Sequence, residues 1–291
     1  MKTSAAFQEI ERLDGLAYKT RTACGPEAMM TWRRWGEGPA VVLLHGGAGS
    51  WMHWIRNIET LAQTHTVWTP DMPGFGDSDL PGDGLDADTL APFVRDGLIQ
   101  LLRGQPFSLV GFSFGGLVAA LIAVGHPPGL ERLVLVSVAA LGLLSTPPAL
   151  KSMRGSQDDD ERREVLRSNL NALMLYSADS VDELAIDIQA RSASRERVKN
   201  RKQVLTDIML SLAPRWQCPA YGLWGRQDVL YRDQFGSLER VTDGLGLRNR
   251  TIFDDAGHWL QYEKAEQFNK VLASILSEPS IMEGGHASNA K

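Results

Sequence analysis

Ser113 stands inside Gly111-Phe112-Ser113-Phe114-Gly115-Gly116, with the apolar run FSLV directly before it and the apolar stretch LVAALIAV directly after. A buried strand turning sharply into a helix lifts the residue at the turn clear of the sheet, which makes this serine a candidate nucleophile. Glycines flank it because the turn is tight, and a side chain at either place would meet the neighbouring strand or helix. The helix that follows aims its first amides at the same point. The Phe114 amide can therefore donate to negative charge developing on a carbonyl oxygen.

A serine hydroxyl is a weak nucleophile at neutral pH, so this chemistry requires a histidine to take the proton and a carboxylate to hold the imidazole. On a strand-turn-helix scaffold these follow in the order Ser, Asp, His. His258 lies in DDAGHWLQYE, just past the last apolar run, at a loop-like Ala256-Gly257. Its competitors fit less well: His65 precedes a strand, His126 ends a helix, His45 belongs to a glycine-rich turn and His286 to a polar tail. Asp228 follows the run AYGLWG, while the preceding run VLVSVAALGL holds no acid and Asp254 and Asp255 are too near His258 to reach around its ring. The turn His45-Gly46-Gly47-Ala48-Gly49 supplies a second amide for the oxyanion, Gly47 by position with Ala48 as the alternative. These glycines do not form a dinucleotide site, since Met52 stands where the third glycine is needed. The expected reaction is acyl transfer to water, with no cofactor and no metal.

These residues require a scaffold that brings distant loops together. Apolar runs at 41–44, 66–70, 107–111, 132–138, 220–223 and 249–253 read as buried strands separated by helical segments, with MMTWRRWG as an edge hairpin strand. That alternation predicts an α/β fold, a mainly parallel twisted sheet flanked by helices. The stretch 139–214 contains no credible strand. Val165, Leu166, Leu170, Leu173 and Met174 fit one helical face, and Val181, Leu184, Ala185 and Ile188 another. This segment is expected to be an inserted helical lid on a core domain formed by 1–138 and 215–276, with QDDDERRE as a solvated helix start. The polar tail 277–291 is expected to be loose. No internal repeat is present.

The composition of this 291-residue chain, 43% hydrophobic and 22% charged, is that of a globular protein. A net charge of −5 without a basic run argues against nucleic-acid binding. The start lacks a signal-peptide core, and no apolar run approaches the roughly 20 residues that cross a bilayer, so no membrane partner and a cytoplasmic location are expected. Cys24 and Cys218 are too few for a disulfide scaffold and read as buried or indifferent thiols. The expected partner is a small-molecule substrate, and a homodimer stays open.

Taken in order, HGG, DMPGFGDSD, GFSFGG, LWGRQD and GHW resemble the α/β-hydrolase superfamily from about Val41 to Leu276. Within it the chain is similar to the serine branch that holds meta-cleavage-product hydrolases, carboxylesterases and lactonases. Haloalkane dehalogenases and epoxide hydrolases use an Asp nucleophile and are not implied. The resemblance implies that the loop 71–76 shapes the pocket, that Trp259 is a shared trait, and that Arg191 stands where carbon-carbon hydrolases hold an arginine for the substrate's carboxylate end. Two positions depart from those hydrolases: Phe112 replaces an Asn before the nucleophile, and His53 replaces another polar Asn. A more apolar pocket follows, walled by Phe112, Phe114, Trp51, Trp54, Leu173 and Met174. The expected substrate is thus a carboxylic ester or lactone of a small apolar or aromatic compound. The alternatives are carbon-carbon cleavage of a ring-fission product and, outside enzymes, a ligand receptor, against which the complete Ser-Asp-His set argues.

Overall fold

Strand order decides where a crevice opens, and here the order is β1-β2-β4-β3-β5-β6-β7-β8. The strands are β1 (Tyr18–Ala23), β2 (Met29–Trp35), β3 (Ala40–Leu44), β4 (Thr66–Pro70), β5 (Phe107–Phe112), β6 (Leu130–Val136), β7 (Ala220–Gly225) and β8 (Asn249–Phe253). The computed structural model describes residues 4–279 except 145–148, 153–155, 157 and 200, so most of the expected loose tail, His286 included, lies outside the described residues. β2 runs antiparallel to both β1 and β4, and all other neighbours are parallel. From β3 the chain first builds outward to β4 and then returns to place β5 on the other side. The carboxyl ends of β3 and β5 therefore diverge into a crevice.

Helices cover both faces. α1 (Ala5–Gly15), α2 (Ile55–Ala62), α9 (Leu260–Glu263) and α10 (Ala265–Leu276) pack on one apolar layer with Val41, Leu43, Val110 and Phe112. α3 (Ala87–Leu102), α4 (Phe114–Val124) and α8 (Phe235–Asp243) pack on the other with Val42, Leu44, Leu109 and Leu133. Alternate residues of each central strand thus feed opposite cores, which is why these strands read as continuous apolar runs. MMTWRRWG is an interior strand rather than the edge. The edge is β1, whose sequence YKTRTA is largely exposed and too polar to stand out.

Between β6 and β7 lie α5 (Asp159–Asn169), α6 (Glu183–Ser194) and α7 (Ile208–Leu212), with no strand among the described residues. The acidic patch opens α5: Asp158 caps the Glu161 amide at 2.8 Å, and Asp159, Asp160 and Glu161 occupy the first turn, where the helix dipole favours negative charge. Arg163 and Arg167 of α5 both pair with Glu183 of α6, and Arg163 also reaches Asp187. Among the described residues no helix is long and apolar enough to cross a membrane.

One buried cation joins the antiparallel end of the sheet to its loops. Arg33 on β2 is 2% exposed and donates from Nε to Asp14 at 2.6 Å, from Nη1 to Asp71 at 2.9 Å and from Nη2 to Asp77. Asp71 also accepts the Trp51 amide at 2.8 Å, so the pair orients the turn that follows the glycine-rich segment. Replacing Arg33 by Met strands the buried Asp71 carboxylate. The variant should lose about 3 kcal/mol or more in urea unfolding, and a loss under about 1 kcal/mol would show that the network contributes little.

Candidate active site

The turn from β5 into α4 holds Ser113 at φ +51°, in the left-handed region. Gly111 and Gly115 are there by steric necessity. A Cβ on Gly111 would stand 2.4 Å from the Gly115 carbonyl oxygen, and one on Gly115 would stand 2.2 Å from the His45 carbonyl oxygen. The serine is held on both sides of its peptide: its amide donates to Val136 O on β6 at 2.8 Å, and its carbonyl accepts from the Gly116 amide at 2.9 Å.

His258 follows β8 and reaches Ser113 across the sheet edge. Its Nε2 lies 2.9 Å from Ser113 Oγ, and its Nδ1 lies 2.7 Å from Asp228 Oδ2. Asp228, wholly buried on the loop after β7, accepts the Leu230 amide at 3.0 Å on its other oxygen. The carboxylate thus accepts the Nδ1–H and leaves the Nε2 lone pair to accept from the serine hydroxyl. The loop carrying His258 is pinned at several points. The Gly257 amide donates to Glu263 at 2.7 Å, and the Trp259 amide donates to Met174 O at 2.7 Å. Asp254 pairs instead with Arg226, at 2.6 Å on the surface.

Two buried imidazoles shape the glycine-rich turn after β3. His45 donates from Nδ1 to Gly46 O at 2.8 Å and accepts the Met72 amide on Nε2 at 3.0 Å. His53 accepts the Gly46 amide on Nδ1 at 3.1 Å. Burial pushes both rings below the ordinary histidine range, which keeps them neutral and keeps these lone pairs available. Gly47, next in the turn, faces the same cavity as Ser113, Phe114 and His258. Phe114 opens α4, so its amide is one of those with no acceptor inside the helix. The amide of Ala48 is already engaged, donating to Glu196 at 3.2 Å. Gly47 and Phe114 both line the cavity, and the Ala48 amide, the alternative donor, is occupied by Glu196.

The cavity beside Ser113 measures about 390 Å³. Phe112, Phe114, Leu166, Leu170, Leu173 and Met174 line it, together with Gln189 and Arg201. Five residues expected in its wall stand elsewhere. Arg191 donates to Glu11 at 2.8 Å and lies 4.4 Å from the Phe7 ring centre, in a separate polar cavity under α1. The reason is helical: Gln189 and Ala193 of α6 face the cavity, and Arg191 lies roughly 200° around the helix from Gln189. His53 lies behind Phe112, 5.4 Å between ring centres. Trp259 donates to His53 O at 2.9 Å and stacks on Tyr262 at 4.2 Å. Trp54 is fully buried and packs 6.0 Å from Phe268. Trp54 and Trp259 belong to the α2/α10 core layer because the turn 51–54 and α9 close over that face of the sheet. Trp51 likewise leaves the cavity, packing against Trp35 and Arg33. Glu196 and Arg201 went unnoticed in the sequence, where they are two charges among many in SRERVKNRK. Only the approach of that segment to the glycine-rich turn singles them out.

Residues 41–271 match the model of the α/β hydrolase family. The chain is 28% identical over 262 residues to a 2-hydroxy-6-oxo-6-phenylhexa-2,4-dienoate hydrolase of Comamonas testosteroni, covering 84% of this chain and 89% of that one. Among solved structures it is similar to a meta-cleavage product hydrolase, CumD, with a TM-score of 0.67 at 21% identity over 91% of this chain and 99% of the other. It is equally similar to a putative aryl esterase from Burkholderia cenocepacia, with a TM-score of 0.67 at 20% identity over 89% and 98% of the two chains. The switch-point crevice, the eight-stranded sheet and a family match spanning most of the sequence agree: this chain belongs to the α/β hydrolase family.

Proposed function

We propose that the protein is a serine hydrolase that cleaves a carboxylic ester or lactone of a small apolar or aromatic compound through an acyl-enzyme. The single observation carrying this reading is the hydrogen-bonded chain from Ser113 Oγ through His258 to the buried Asp228. In the first step Ser113 Oγ bonds to the substrate carbonyl carbon while its proton passes to His258 Nε2. The carbonyl π electrons move to oxygen, where the Gly47 and Phe114 amides receive the charge. His258 then returns the proton to the leaving oxygen as the carbon-oxygen bond breaks. Water, deprotonated by the same nitrogen, attacks the acyl carbon; the bond from that carbon to Ser113 Oγ then breaks as His258 returns the proton to the serine, and the acid is released. Asp228 stabilises the imidazolium throughout.

The acyl group is proposed to lie among Leu166, Leu170, Leu173 and Met174, under helices that act as a lid. Carbon-carbon cleavage by the same triad is the second reading. It is favoured by the dienoate hydrolase relative and disfavoured by Arg191, which serves Glu11 rather than the cavity. Phe112 also brings an aromatic edge, not an amide, to the place beside the nucleophile.

Ser113→Ala should reduce kcat/KM roughly 10⁴-fold or more, and should abolish fluorophosphonate labelling, with an unchanged circular dichroism spectrum. Asp228→Asn should reduce kcat roughly 10²- to 10⁴-fold, because the amide turns the imidazole to the wrong tautomer. Wild-type activity that survives Ser113→Ala overturns the mechanism. A panel of p-nitrophenyl esters, aryl lactones and a ring-fission dienone assigns the substrate. The ester reading requires kcat/KM on an apolar ester to exceed that on the dienone, and turnover of the dienone alone transfers the assignment to carbon-carbon cleavage. Ligand binding with neither turnover nor labelling would instead mark a receptor.

A further inference from the structure

We infer that Glu196 and Arg201 are positioning residues, a charged clip by which the segment between β6 and β7 holds the glycine-rich turn in the shape that presents the Gly47 amide. The inference rests on the acyl-transfer reading for its consequence, and on geometry alone for its existence.

Glu196 Oε1 accepts the Ala48 amide at 3.2 Å, and the same oxygen accepts from Arg201 Nη1. Arg201 Nη1 also donates to Val198 O at 2.7 Å. Its guanidinium lies against the turn: a Cβ on Gly47 would stand 2.8 Å from Arg201 Nε and 3.0 Å from Cζ. The cation also stands 5.7 Å from the Phe114 ring centre. Arg201 therefore touches both residues whose amides face the reacting carbonyl. The clip is itself braced on the core. The Arg197 amide donates to Gly74 O at 2.9 Å, and Val198, 3% exposed, packs on Gly74 so closely that a Cβ there would stand 2.6 Å from Val198 Cγ2.

Each charge has a separate task. Ala48 sits at φ +51°, which a non-glycine residue adopts at a cost, and the bond from its amide to Glu196 offsets that cost. With the Ala48 amide turned to Glu196, the Gly47 amide is the one left toward the cavity. A bare carboxylate one residue from that amide would oppose a growing oxyanion, however, in a site where charges are weakly screened. Arg201 cancels it. Glu196 thus shapes the turn and Arg201 makes that shaping compatible with negative charge on the substrate. Neither needs to contact substrate.

Two measurements on the full chain decide this. Amide hydrogen exchange reports the clip without any turnover: Glu196→Ala should speed exchange at Ala48 roughly tenfold or more while α4 is unaffected, and unchanged exchange overturns the clip. Kinetics on a neutral ester report the charge balance. Arg201→Gln should lower kcat roughly tenfold or more with KM within about threefold, and adding Glu196→Gln should recover most of that loss. The glutamine oxygen still accepts from Ala48, but the charge that needed cancelling is gone. A loss confined to KM on anionic substrates, and not rescued by Glu196→Gln, would make Arg201 a substrate anion binder and overturn the clip. Should the wild type turn over neither ester nor dienone, the hydrolase reading falls while the exchange result still stands for or against the clip.

Discussion

The close approach of β5 to α4 governs this molecule. Backbone meets backbone there, with the Gly115 carbonyl seated against Gly111 and the Gly115 Cα seated against the His45 carbonyl, at separations that exclude any side chain. This contact forces Ser113 to positive φ and directs its hydroxyl out of the sheet plane. It also draws the end of β3 beside the start of α4. Phe114 and the turn containing Gly47 thereby come to line the same cavity. Strain at Ser113 persists because the surrounding sheet over-determines it, with bonds to β6 ahead and to α4 behind.

Around that contact the polar groups are few and nearly all committed. Asp228, His258, His45 and His53 are buried, and each is oriented by a backbone amide, a backbone carbonyl or, for His258, the Asp228 carboxylate. Neutral rings suit His45 and His53: each offers one acceptor and one donor, and burial keeps these two uncharged. Among the described residues, formal charge is brought to the site by Asp228 and, at the rim, by Lys151 and the paired Glu196 and Arg201. In the proposed acyl transfer such a site would be preorganised for transient negative charge on a substrate oxygen, since its dipoles need not move when that charge forms.

The segment between β6 and β7 supplies what the sheet cannot. Its leucines and Met174 form the apolar wall of the cavity, and its charged end reaches the glycine-rich turn. Its attachment is ionic as well as apolar: Arg195 joins Asp77 in the Arg33 cluster, and Arg191 joins Glu11 on α1. The arginine that resemblance placed at the substrate thus fastens helix to helix, and a different arginine faces the cavity.

By itself the sequence determined the strand runs, their alternation with helices, and the addresses of Ser113, Asp228 and His258. Each of these is written locally. A buried parallel strand is a continuous apolar run, and a tight strand-to-helix turn demands glycines beside its serine. The carboxylate and the imidazole sit immediately past the runs of β7 and β8, where a parallel sheet must bring loops to one edge. The direction of side chains on α6, the burial of Trp54 and Trp259, and the partnership of Glu196 with Arg201 were decided only by the tertiary structure. Two residues of helical phase separate a cavity wall from a salt bridge to α1. Aromatic residues near a nucleophile suit core and pocket equally, and a polar edge strand such as β1 carries no apolar signal at all. Those choices are made by which surfaces meet when the helices settle on the sheet, and contacts between residues far apart along the chain leave no spacing to read.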